Sequence, residues 1–90
     1  MPEARLSKAD SIDQDAVGGD LILMKLDTRH VMILNPTARV LWDVLDEFPT
    51  RSELLGLLCE AYAERPRAEL ERNLDQVLDA LTEQRFLNAS

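Results

Sequence analysis

Ninety residues carry 17 acidic side chains against 10 basic ones, a formal net charge of -7, with 46% of the chain hydrophobic. That length closes one small core and leaves little material for a deep catalytic pocket, while the charge disfavours duplex DNA and anionic membranes, because the few cations are scattered along the chain. One cysteine and one histidine exclude an internal disulfide and a Cys/His metal cage; with no apolar run near the ~20 residues of a membrane span and no basic-then-apolar signal segment in MPEARLSKADS, the expected compartment is the cytoplasm.

Residues 1–10 are polar and show no period, so they are expected to form a flexible N-terminal arm ahead of a single domain over residues 11–90. The strand signal from Ser11 to Val17 is thin and rests mainly on Gly18-Gly19-Asp20, which follows as turn chemistry. LILMKL (residues 21–26) and HVMIL (residues 30–34) are apolar runs of strand length joined by Asp27-Thr28-Arg29, the pattern of an antiparallel hairpin. Both runs are apolar on both faces, where a half-exposed sheet should alternate with polar residues, so something is expected to cover the second face.

Asn35 is a good N-cap and Pro36 suits the first helical position, where its missing N–H costs nothing. The first helix then runs to about residue 47, with Ala38, Leu41, Trp42 and Leu45 on one stripe. Phe48-Pro49 ends it, and Thr50 with Glu53 forms a capping box that opens a second helix over about residues 51–63, whose inward side is Leu54, Leu57, Leu58, Ala61 and Tyr62. After Arg65-Pro66, a third helix spans about residues 67–84, with Leu70, Leu74, Val77, Leu78 and Leu81 inward and Phe86-Leu87 folding back at its end. Strands first and helices after them make an α+β, winged-helix-like fold, a three-stranded antiparallel sheet followed by a three-helix bundle.

Residues suited to chemistry are few. His30 beside a turn has no acid or nucleophile to work with, Cys59 falls in an apolar neighbourhood, and the carboxylates lie between apolar positions as a solvated face. There is no phosphate-binding glycine loop, zinc-protease motif or nucleophile elbow, so no catalytic residue, metal or cofactor is expected and the chain is not expected to be an enzyme. Trp42, at the centre of the helix-one stripe, is expected to fill the core. The third helix sets Arg67, Arg72 and Arg85 against five acids, which would repel a duplex from a winged helix that read DNA.

Leu34-Asn35-x-Thr37 followed by Leu41-Trp42, with a hairpin before it and Thr50-x-x-Glu53-Leu54 after it, resembles the PqqD family of peptide chaperones over about residues 12–87. The chain departs from that pattern at Met32, where an aromatic is usual, at Ala38-Arg39 in place of Gly-Ala, and at Phe48-Pro49 and Arg85 in place of glycines. The resemblance implies a recognition element for ribosomally made, modified peptides such as the pyrroloquinoline quinone precursor. It would bind a leader segment as an added strand on the third strand of the sheet, in a cleft walled by the third helix, and deliver it to a modifying enzyme, often a radical-SAM protein. Mapped here, the docking strand would be His30, Val31, Met32, Ile33 and Leu34, with either Val31 and Ile33 or Met32 and Leu34 facing the cleft. Leu70, Asn73, Leu74 and Val77 would form the helical wall, and Arg67 and Arg72 would pair with acidic leader residues. Affinity from strand addition should reach about -8 kcal/mol, since the peptide is ordered on binding. Two rival readings remain at this level: a winged-helix transcription regulator, and a homodimer that pairs through the same edge.

Overall fold

The structure, a computed structural model, describes residues 3–89. In chain order its elements are β1 (Leu6–Lys8), β2 (Ile12–Val17), β3 (Asp20–Lys25), β4 (Val31–Leu34), α1 (Pro36–Val44), a single 3₁₀ turn (Leu45–Glu47), α2 (Arg51–Ala61), α3 (Arg67–Glu83) and β5 (Leu87–Ala89). β2, β3 and β4 form an antiparallel sheet in that order, and the three helices pack on one of its faces, which is the α+β architecture expected. A second, two-stranded ribbon joins β1 to β5.

That ribbon corrects the expectation of a loose arm. Leu6 pairs with Ala89 and Lys8 with Leu87, the Leu6 N–H donates to the Pro49 carbonyl at 2.8 Å, and the Ala9 N–H donates to Phe86 at 2.9 Å. Residues 6–8 contain one large apolar side chain, Leu6, too few to create a period; the strand exists because β5 and the turn before α2 supply its hydrogen bonds. Lys8 also lies 4.8 Å from the Trp42 ring centroid and 3.1 Å from Asp46.

Local chemistry explains the helix boundaries. The Asn35 side chain accepts from the Ala38 N–H at 2.9 Å, and Thr50 and Glu53 complete a reciprocal capping box at 3.2 and 3.0 Å. α1 tightens into the 3₁₀ turn and stops where Phe48 turns left-handed at φ 53°, a conformation that leaves its ring exposed. α3 ends in a Schellman motif: Phe86 N–H donates to Leu81 and Arg85 N–H to Thr82, with Arg85 at φ 64° and Phe86 buried with Leu81.

One core fills the space between sheet and helices. Leu21, Leu23 and Leu34 project from the sheet; Ala38, Leu41 and Trp42 come from α1; Leu54, Leu55 and Leu58 from α2; and Leu70, Leu74, Leu78 and Leu81 from α3. On α2 it is Leu55 that is buried, with Leu57 half-buried and Ala61 exposed. Trp42 is 1% exposed, and its indole N–H donates to Gln14 Oε1 at 3.0 Å, which ties α1 to β2. Across the helical layer, Arg51 of α2 grips Asp75 of α3 with two hydrogen bonds of 2.7 and 2.9 Å. Among the described residues the outer face of the sheet has no cover: Val17, Met24, Val31 and Ile33 all stand exposed there.

Candidate functional site

β4 pairs with β3 on one side and, among the described residues, with nothing on the other. Its register places Leu21 opposite Leu34, Leu23 opposite Met32, and Met24 opposite Val31, and the Lys25 N–H donates to the His30 carbonyl at 2.8 Å. In an antiparallel ladder, residues alternate between exchanging hydrogen bonds with the partner and pointing them away. His30, Met32 and Leu34 therefore turn their main-chain groups toward β3, and the N–H and C=O groups of Val31 and Ile33 face the open edge. Side chains alternate in the other direction: Leu34 is buried and Met32 half-buried on the helix side, while Val31 and Ile33 are 55% and 64% exposed on the outer face. The faces left open by the strand pattern are thereby assigned.

Two cavities join the residues flanking β4 to α3, and they set the helix in the opposite sense to the strand. A cavity of about 350 Å³ at one end of the edge brings Asn35, Thr37, Ala38 and Leu41 together with Asn73, Leu74, Gln76 and Val77 of α3, and includes Leu58 and Arg65. A second, of about 220 Å³ at the other end, is lined by Lys25, Thr28, His30, Glu83, Gln84 and Arg85. Five residue steps of strand, from His30 to Asn35, cover roughly 17 Å, and the ten steps of helix from Leu74 to Gln84 cover roughly 15 Å. Strand edge and helix are thus matched in length, with a cavity at each end of the groove between them.

The residues singled out from the sequence divide within this groove. Asn73, Leu74 and Val77 line the first cavity, Leu74 as a fully buried floor, and His30 lines the second just outside β4. Leu70 is 2% exposed and belongs to the core, outside the lining of either cavity. Arg67 is exposed and Arg72 half-buried, and both lie outside the two linings. The arginine that lines the first cavity is Arg65, held 5.7 Å over the Tyr62 ring and 3.9 Å from Glu69. It was missed because Arg65-Pro66 has the composition of a linker. Lys25 was missed too, although it continues the inward alternation of Leu21 and Leu23.

Charges away from the groove fix its wall. The two hydrogen bonds from Arg51, and its charge, hold the Asp75 carboxyl below the usual carboxylate range. The Thr50 backbone N–H, the Thr50 hydroxyl and nearby Arg5 do the same for Glu53. Both pairs brace α2, and through Asp75 the helix that walls the groove.

A family model described as coenzyme PQQ synthesis protein D (PqqD) matches residues 20–87, most of the chain. A solved structure of TbiB1 in complex with the TbiA(beta) leader peptide superimposes with a TM-score of 0.79 at 23% sequence identity, covering 91% of this chain and 94% of that one. Among curated proteins there is no match. The matched segment runs from the start of β3 through β4 and all three helices to the first residue of β5, so it takes in the open edge, its helical wall and both cavities; the chain belongs to the PqqD family.

Proposed function

We propose that this protein is a non-catalytic adaptor that binds the leader segment of a ribosomally made precursor peptide as a fourth strand on β4 and presents it to a modifying enzyme. The observation that carries this reading is the unpaired edge itself: outward N–H and C=O groups of Val31 and Ile33 beside a groove walled by α3. Family membership supports it, as does a structural neighbour of the same fold that was solved with a leader peptide.

Strand addition takes affinity from main-chain hydrogen bonds and selectivity from the alternate side chains that enter the groove. Here those side chains would lie beside His30, Met32 and Leu34. The first cavity, with Asn73 and Arg65 at its wall and Leu74 at its floor, would accept the residue at the Leu34 end. The protein's own work is then to order an extended peptide and hold it for a second protein, a radical-SAM enzyme being the class that the family resemblance suggests.

Titration of ¹⁵N-labelled protein with the N-terminal segment of a short precursor peptide encoded beside it tests this. Amides of residues 30–35 and 73–77 are expected to shift, with those of Val31 and Ile33 becoming protected from exchange. Shifts confined to β2 or to the outer face of α2 would overturn the reading.

A further inference from the structure

Lys25 is the one buried charged residue among those described, at 8% exposure, in a chain with a net charge of -7. An ammonium taken out of water is costly unless it is paired. Yet among the described residues Lys25 forms no ion pair, and Glu83, the single acid lining its cavity, forms none either. Among the described residues no buried side-chain nitrogen lacks a partner, so its Nζ is not sealed in, and Lys25 lines the 220 Å³ cavity at the His30 end of the groove.

Arg85 adds a second cation to the same cavity, and does so from a left-handed backbone position where a side chain is strained and glycine is not. His30, opposite Lys25 in the ladder, lines the cavity too, so two cations and an imidazole face the single carboxylate of Glu83. A strand added to β4 would place one of its inward side chains in the same row as Lys25 and His30. With strands about 4.8 Å apart, that row sets the peptide backbone roughly 10 Å from that of Lys25, a gap the long lysine and an acidic side chain close from opposite sides.

We propose that this cavity is a carboxylate subsite that selects an aspartate or glutamate side chain of the docked peptide, two residues from an apolar side chain that packs on Met32. The proposal rests on the strand-docking reading and adds to it a charge at a defined register.

Selection from a displayed library of random 14-residue peptides, blocked at both ends so that only side-chain carboxylates are present, tests it with wild-type protein and Lys25→Met, a variant that keeps the length and apolar stem of the lysine. The wild type should enrich an acid at one position spaced by two from an apolar residue. Lys25→Met should retain the apolar position and lose the acid. In a selected peptide, replacing the acid by its amide should weaken binding about tenfold to the wild type and leave Lys25→Met nearly unaffected, the size expected for one charge-assisted hydrogen bond. Apolar enrichment without an acid, or an acid that persists with Lys25→Met, overturns the carboxylate subsite alone. A pool with no enriched peptide overturns strand docking, and the subsite with it.

Discussion

The sheet has two edges and treats them oppositely. On β2, Asp13 and Asp15 stand along the strand, the Asp13 carboxylate accepts from the Gln14 N–H at 3.0 Å, and the Gln14 side chain is committed to Trp42 at 3.0 Å. By the same alternation that turns Val31 and Ile33 outward on β4, the Gln14 N–H faces the free side of β2, so a local carboxylate already occupies that donor. On β4 the sequence is VMIL, with no charge, and among the described residues no side chain is bound to its outward main-chain groups. Charges and internal capping are how proteins blunt an edge against pairing. One edge carries charge and has an outward donor taken by its own carboxylate; the other is uncharged and open beside a groove, which is what a strand-accepting surface requires.

The largest expected effect concerns the β2 edge. Trp42→Ala removes a fully buried ring and leaves Gln14 without its partner, and should cost about 3–5 kcal/mol, read from urea denaturation, with β2 losing hydrogen-exchange protection before β4. At the open edge, Ile33→Pro deletes an N–H that faces away from β3 and so spares the ladder. Leader binding should fall about 30-fold, roughly 2 kcal/mol, by calorimetry, with the circular dichroism unchanged; Ala16→Pro on β2 should leave binding within about twofold. Equal losses from the two prolines would dissolve the contrast between edges.

Smaller effects sharpen the wall of the groove. Arg85→Gly relieves a left-handed arginine at the end of α3 and should raise stability by about 0.5–1 kcal/mol in the same denaturation assay. The Arg51–Asp75 and Thr50–Glu53 contacts should give a modest acid sensitivity. Both carboxyls sit below their unfolded values, so their stabilisation is complete above about pH 5 and disappears as pH falls through the lower folded values. Melting temperature measured between pH 6 and 2 should drop less for Asp75→Asn than for the wild type. The pair is solvent-exposed, so the difference should be slight.

Signals carried by near neighbours in the chain were legible without coordinates. The Asn35 cap with Pro36, the Thr50–Glu53 box, the Trp42 stripe and the hairpin all rest on interactions within a few residues, and they were enough to order strands before helices. Asn73, Leu74 and Val77 could be grouped the same way, because they lie on one side of a strongly periodic helix, and they line the first cavity together. Arg67 and Arg72 stand outside both cavity linings, a placement that depends on how α3 sits against a strand some 40 residues earlier.

By itself, then, the sequence determined the elements, their caps and the absence of motif chemistry, since each follows from local sterics, hydrogen bonding and apolar period. Tertiary structure alone decided that residues 6–8 are a strand, because β5 supplies their partners from the far end of the chain. It also decided that β4 and not β3 has an open edge, and that Lys25, Arg65 and Arg85 reach the two ends of one groove. An edge is defined by what does not lie beside a strand, and a cavity by residues from several elements meeting; neither is a property of any short stretch of chain.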